Sequence, residues 1–465
     1  MRKTKIVCTI GPATNSEQAI KKLVIAGMNV VRVNMSHGTN EEHIQTIKRI
    51  IKIREDLGTS LGIMVDLKGP EVRIKSFENN KVVLKSGQQF VLDAKTQPGN
   101  SNRVAVTTTQ LFESMQKGQK LLLSDGSIEL VVQSVCKNSA VCKVKTGGVL
   151  SNNKSINAPG LKLNLPFLSS TDKRDILMAI SEDVEFIALS FVQSKKDVES
   201  ARKFLNRNGG ESIKIIAKIE NQSGVKNMAE IIDAADGVMV ARGDLAVDVD
   251  FVRLPHIQNK MLELAQKKHK FAITATQMLV SMVNASRPTR AEVTDVANAV
   301  LLGSGAVMLS EETAIGKHPA LCVKTMAKIV LECEKHLGKK VKDLQKTKSE
   351  LESVCFGAIS AAENAKIKNI VVVTGSGKTA LELACYRPIA NVIALTPHEQ
   401  TLNQMSIVYG VNAYNIPVVS TTTKLWTESR EILVNQKLVK PNEKIIYISG
   451  EPQNQKNNLF EIKQI

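Results

Sequence analysis

Apolar, β-branched runs of six to nine residues recur along the first 340 residues, each ending in polar groups and followed by a stretch of helical period. They are KIVCTIG (5–11), NVVRVNMS (29–36), LGIMVDLKG (61–69), FIALSFV (186–192), KIIAKIE (214–220), GVMVARGD (237–244), FAITATQM (271–278) and AVMLSEET (306–313). Continuous apolar strands alternating with helices predict a parallel sheet, and eight such units predict a closed (β/α)8 TIM barrel with its site at the C-terminal strand ends. More than a hundred residues separate the third run from the fourth, too many for a loop, so an inserted domain is expected there. Alternation in "KVVLKSGQQFVL" and "KLLLSDGSIELVVQSV", with turns at Ser86-Gly87 and Asp125-Gly126, predicts a small antiparallel β-barrel over the barrel mouth. Beyond the charged connector "KKVKDLQKTKSE", the runs NIVVVTG, NVIALTP and EKIIYISG predict an open C-terminal α/β sheet. The expected fold class is α/β, with barrel segments at 1–70 and 166–340, the insertion at 71–165 and the C-terminal unit at 341–465.

Side chains alternate faces along a strand, and this sorts the polar strand ends. Arg32, Asn34 and Ser36 share a face, as do Asp66 and Lys68, which lead into the Gly69-Pro70 turn, Glu71 and Arg73. The fifth run presents Lys218 and Glu220, the sixth ends in Arg242, Gly243 and Asp244, the seventh presents Thr274 and Thr276, and the eighth Ser310 and Glu312. Singly, each has a bland reading as a part-buried ion pair or a helix cap. Together, around one opening, they point to a site. The seven histidines offer no pair at metal spacing and the cysteines no cluster, which argues against zinc. Glu220 and Asp244, from adjacent strands, are instead the oxygen pair that suits Mg²⁺. With Arg32 and Lys218 they would surround a phosphate or carboxylate with positive charge, the equipment of phosphoryl transfer.

Composition narrows the partners. The 465 residues predict two to four domains, and no apolar stretch is long enough for a membrane span. The N-terminus lacks a long apolar core or a cleavage site, and nothing there marks export. Seven cysteines without CxxC pairs read as buried free thiols in a reducing compartment, giving a cytoplasmic expectation. The net charge of +17 invites nucleic acid, but at 3% aromatic residues stacking platforms are scarce and the lysines are scattered. An enzyme for small anionic substrates accounts for the charge better, with neither nucleic acid nor membrane as a partner.

At this level of detail the chain resembles the pyruvate kinase family over essentially its whole length. "IKIIAKIENQSGV" (213–225) is similar to the family's signature around its catalytic lysine. "TIGPAT", "RVNMSHG", "DLKGPEVR", "ARGDL", "TATQML", "RPTRAEVTDVANAV" and "MLSEETAIGKHP" follow in the family's order. The resemblance implies transfer of the phosphoryl group of phosphoenolpyruvate to ADP, with Mg²⁺ (or Mn²⁺) and K⁺ as cofactors and a homotetrameric assembly. It implies that Lys218 stabilises the transferring group and the enolate, that Glu220 and Asp244 hold the divalent metal, and that Arg32 grips the phosphate. The backbone of Ala241, Arg242 and Gly243 would shape the substrate carboxylate pocket; Thr276 would bind that carboxylate and join Ser310 in protonating the enolate. Asn34, Ser36, Asp66 and the Leu67 carbonyl match the K⁺ site, Glu71 matches the acidic residue that accompanies K⁺ dependence, and His37, Arg73 and Lys154 would contact ADP, near Asn34. The chain departs from the family's usual GDLGVE, QMLESM and KGVN at Ala246, Asp248, Val280 and Ser155, none of them a ligand named above. Two rival readings remain: a Mg²⁺-dependent lyase on a similar barrel, and a catalytically inactive effector-binding homologue.

The stretch "NIVVVTGSGKTALELA" (369–384) looks like a P-loop, but Val372 stands where its first glycine is required. What remains is a strand, a Gly-rich turn and a helix start, where free amides favour an anion. Two readings stay open: a regulatory pocket, as the resemblance implies, in which Thr374, Ser376, Lys378 and Thr379 hold the phosphate of a sugar-phosphate effector, or a plain helix cap. Against a bisphosphate effector, "GEPQNQKNN" (450–458) replaces the family's glycine-rich effector loop.

Overall fold

The computed structural model describes residues 2–124, 126–161, 166–337, 347, 349–450 and 457–465. Eight parallel strands close into a barrel in sequence order: β1 (Lys5–Thr9), β2 (Val30–Asn34), β3 (Gly62–Asp66), β4 (Phe186–Leu189), β5 (Lys214–Ile219), β6 (Gly237–Ala241), β7 (Phe271–Ala275) and β8 (Ala306–Leu309). Their period of two sorts the side chains. Val7, Val30, Met64, Phe186, Ile216, Met239, Ile273 and Met308 fill the barrel interior, while Ile6, Val31, Ile63, Ile187, Ile215, Val238 and Val307 pack under the helices. The interior cluster runs on into Ile370, Val372, Leu383 and Met405 of the C-terminal domain, so the barrel's N-terminal end is capped by that domain. The Lys5 Nζ donates to the Val411 carbonyl at 2.6 Å and the Gly62 amide to Ser406 Oγ at 3.1 Å, fixing the same junction from the first residues of β1 and β3.

Between β3 and β4 lies the inserted domain. Six strands form one sheet in the order Ile156–Asn157, Lys120–Leu123, Ile128–Cys136, Ser139–Thr146, Gln89–Asp93 and Arg103–Ala105. Arg73 bridges Ser155 beyond one edge and Ile74 bridges Val106 beyond the other, which closes the sheet laterally around a core of Phe90, Leu92, Leu121, Ile128 and Leu130. The pairing is antiparallel except between Gln89–Asp93 and Arg103–Ala105, which run parallel, a correction to the uniformly antiparallel expectation. The chain leaves the barrel through Gly69, whose φ of +73° and a would-be Cβ 2.9 Å from Ser190 Cβ leave room for glycine alone. The Gly69 amide donates to Asp172 Oδ1 at 3.0 Å, and Asp172 also closes the capping box of helix Ser170–Ser181. One carboxylate thus ties the exit from the barrel to the return. Asp125 and residues 162–165 of this region lie outside the described residues.

The C-terminal sheet has five strands rather than the three expected: Val411–Asn415, Asn391–Thr396, Asn369–Val373, Lys444–Ser449 and Leu459–Gln464, with the last antiparallel. The two additional strands are edges. Half-exposed and polar, they carry no continuous apolar run for sequence patterning to detect. Most of the expected connector, and most of the 450–458 stretch, fall outside the described residues. All seven cysteines are free, but Cys136 is exposed at the end of its strand and Cys333 and Cys385 are half-buried, so the uniformly buried set does not hold.

Candidate active site

Lys218 is the centre. It follows Ile216 on the inward face of β5 and is only 8% exposed. Its Nζ donates to Ser190 Oγ at 2.7 Å and lies 3.1 Å from Asp66 Oδ1 and 2.9 Å from Glu220 Oε1. Asp66, in register with Asn34 across β2 and β3, accepts from Arg32 Nε at 2.6 Å, and Arg32 Nη1 donates to Thr9 Oγ1 at 3.0 Å. Two cations, from β2 and β5, therefore converge on one buried carboxylate of β3. Burial alone would raise Asp66, but Lys218 and Arg32 together hold it below the usual carboxylate range. Burial alone would lower the Lys218 ammonium, yet Asp66 and Glu220 outweigh it and raise it, so Lys218 stays charged.

Glu220 follows directly on the last residue of β5. Its Oε2 accepts from the Phe191 amide at 2.7 Å, and burial pushes its carboxyl up to about 7, against the pull of Lys218 and with a further push from Asp244. Burial also raises Glu71, partly offset by Arg73, whose Nε donates to Glu71 Oε2 at 2.7 Å; Asp244 is near enough to raise it further. Glu71, Asp244 and Glu220 thus form one acidic lip beside Lys218. Sequence reading placed Arg242, Gly243 and Asp244 on a strand end, whereas β6 stops at Ala241 and the three open helix Arg242–Asp248. The Arg242 side chain turns away to Asp295, with contacts at 2.7 and 2.6 Å, leaving its backbone at the mouth.

The seventh strand also requires a correction. Ile273 and Ala275 point into the barrel, so Thr274 faces outward, fully buried, with its Oγ1 2.6 Å from Ser304 Oγ. Thr276 reaches the mouth by a different route. Its φ of +66° and that of Gln277, +54°, break the alternation, and Thr276 Oγ1 accepts from the Gly243 amide at 2.9 Å. Glu312 is structural: its carboxylate accepts from the Ser310 and Leu279 amides at 2.7 and 3.0 Å. Ser310 Oγ is buried and has no hydrogen-bond partner among the described residues.

Around this centre stand the other predicted residues. Asn34 Oδ1 accepts from the Ser36 amide at 3.2 Å, and the Leu67 carbonyl accepts from Ser190 Oγ at 2.7 Å. His37 is exposed just beyond β2. Arg73 donates to the Asn153 carbonyl at 2.8 Å, and the neighbouring Lys154 carbonyl accepts from the Ile74 amide, so both cations sit at the neck of the inserted domain. Thr374, Ser376, Lys378 and Thr379 are not part of this assembly. They line a cavity of about 630 Å³ whose walls are all residues of the C-terminal domain.

Comparison with known sequences decides the family. A profile described as the pyruvate kinase barrel domain matches residues 1–323, and one described as the pyruvate kinase alpha/beta domain matches 352–463. The chain belongs to the pyruvate kinase family. It is 42% identical to the pyruvate kinase of Geobacillus stearothermophilus over 97% of this chain and 78% of that one. It is 41% identical to that of Staphylococcus haemolyticus over 98% and 79%. The crystal structure of a pyruvate kinase from Cryptosporidium parvum superposes with a TM-score of 0.92 at 34% identity, over 100% of this chain and 96% of that one. Membership makes the chain a phosphotransferase.

Two members of the pyruvate kinase constellation escaped the sequence reading. Thr9 follows Val7 and Ser190 follows Ala188 on inward faces, so alternation could have found both. Asp295, which turns Arg242 aside, lies on helix Arg290–Leu302 and carried no local signal. The oxygen-only donors fit the cations the family implies. The Lys218 ammonium lies 2.9 Å from Glu220 Oε1 and 3.1 Å from Asp66 Oδ1, and each of these carboxylate oxygens has a further lone pair that can serve a hard cation.

Proposed function

We propose that this chain performs the pyruvate kinase reaction, transfer of the phosphoryl group of phosphoenolpyruvate to ADP, at the mouth of its barrel and with the residues just described. The observation that carries the reading is the buried Lys218 ammonium, held by Ser190, Asp66 and Glu220 beside Arg32. Phosphoryl transfer is catalysed mainly by positioning and by charge aimed where charge develops. Arg32 from β2 and Lys218 from β5, both drawn to Asp66, supply positive charge to the phosphoryl oxygens. As the bond to the enol oxygen breaks and the ADP oxygen bonds to phosphorus, Lys218 stabilises the enolate left behind. Glu220 and Asp244 would hold Mg²⁺ or Mn²⁺, which when bound neutralises phosphate charge. The amides at 241–243 and Thr276 orient the carboxylate, and the unpartnered Ser310 hydroxyl is placed to pass a proton toward the enolate carbon through water.

Asn34, Ser36, Asp66 and the Leu67 carbonyl suit K⁺, with Glu71 alongside, and His37, Arg73 and Lys154 suit ADP. The C-terminal cavity suits the phosphate of a sugar-phosphate effector at Thr374, Ser376, Lys378 and Thr379. The reading carries with it cytoplasmic residence, in keeping with seven free thiols, and a homotetramer, for which exposed Leu301, Ile315, Leu459 and Ile462 supply apolar surface. The test is pyruvate release from phosphoenolpyruvate, ADP and Mg²⁺ with K⁺ present or omitted. K⁺-stimulated release is expected; no release in either condition, with sugar phosphates added, would contradict the kinase reading and favour the inactive effector-binding homologue.

A further inference from the structure

Among the described residues, one group of three metal-ligating side chains lies away from the barrel mouth. His269, Glu352 and Glu382 each present a ligand atom, and these atoms all lie within 4.8 Å of one another. They come from three elements. His269 stands two residues before β7 with φ +54°, Glu352 is in the first turn of helix Glu350–Asn364, and Glu382 is on helix Lys378–Cys385. Glu382 is 7% exposed, and both its carboxylate oxygens lie 2.7 Å from His269 Nδ1; Oε2 makes the hydrogen bond, while the buried Oε1 makes none. The Tyr386 ring packs edge-on against the imidazole, with centroids 5.8 Å apart, and fixes its orientation. Lys268, next in sequence, is drawn away to Asp233 at 2.8 Å.

We propose that His269, Glu352 and Glu382 form a binding site for a divalent transition metal of the zinc class, at the junction of barrel and C-terminal domain and distinct from the catalytic cations. One imidazole and two carboxylates are a sufficient set for such an ion, with water completing the shell. A four-coordinate ion with bonds of about 2.1 Å sets its ligands about 3.4 Å apart, so the trio closes by side-chain rotation alone. The ion displaces the proton shared by His269 and Glu382 and relieves two carboxylates of their mutual repulsion. It ties the start of β7, whose far end leads to Thr276, to the helix that opens at Lys378 on the C-terminal cavity.

Zn²⁺ alone is the probe, in equilibrium dialysis of the reduced, full-length chain with Mg²⁺ in excess. This readout does not depend on turnover. Wild type should retain one ion more than His269→Gln and one more than Glu382→Gln, while Asp244→Asn should retain it. Zn²⁺ should also raise the unfolding temperature of wild type and of Asp244→Asn but not of the two junction variants. Equal Zn²⁺ stoichiometry and equal thermal shifts in all four proteins would overturn the site, as would loss of the ion in Asp244→Asn. If His269→Gln fails to fold, Glu382→Gln is the deciding variant, with the same two outcomes.

Discussion

Ser190 is the least conspicuous member of the centre and the most informative. It donates to the Leu67 carbonyl while accepting from Lys218, so one hydroxyl links a backbone oxygen suited to K⁺ with the ammonium suited to the phosphoryl group. Ser190→Ala should lower kcat by about tenfold while leaving the unfolding temperature near that of wild type. A change in the KM for phosphoenolpyruvate alone would make Ser190 a binding residue rather than a positioning one. At this scale the sequence was legible wherever a strand stayed regular, because alternation alone put Arg32, Asp66, Lys218 and Glu220 on inward faces. It failed at Thr274, whose face alternation left undetermined without a known interior neighbour. It reached Thr276 for the wrong reason, since two consecutive positive φ values, not strand register, bring that hydroxyl to Gly243.

The elements position these residues through their ends. Gly69 is the exit from β3 toward the inserted domain, and Gly69→Ala should cost about 1–3 kcal/mol, read as a lower urea midpoint, because it imposes a side chain on a left-handed residue pressed against Ser190. An unchanged midpoint would mean that the exit relaxes freely. In the C-terminal domain the Gly377 amide donates to Thr374 Oγ1 at 3.0 Å, and Ser376 lines the cavity. Ser376→Glu places a carboxylate where an effector phosphate would sit, and should abolish the thermal shift caused by a sugar monophosphate without changing basal turnover. A shift equal to that of wild type would leave the turn as a helix cap only. The barrel strands were legible because they are apolar throughout; the edge strands Val411–Asn415 and Leu459–Gln464 were not, because an edge needs no such run. The lateral closure of the inserted sheet rests on two single bridges at Arg73 and Ile74, below the resolution of any periodicity.

For the molecule as a whole, the junction beneath the barrel couples pH to stability. Burial, assisted by Arg2, depresses the Lys5 ammonium to about 7, so between that pH and the ordinary lysine value the folded chain binds fewer protons here than the unfolded chain. Stability therefore rises with pH across this window, and below about 7 the folded chain carries the full cost of a buried, charged Lys5. Lys5→Met should raise the unfolding temperature more at pH 6 than at pH 10, with an equal gain at both values counting against a buried neutral lysine.

The central claim is that the buried Lys218 charge carries phosphoryl transfer, and it is tested most directly by the turnover of Lys218→Met at saturating phosphoenolpyruvate, ADP, Mg²⁺ and K⁺. The expected result is a fall in kcat of about 10³-fold or more relative to wild type, with phosphoenolpyruvate still bound in the presence of Mg²⁺. Turnover within about tenfold of wild type would show that the ammonium is a structural partner of Asp66 and Glu220, and would contradict the account.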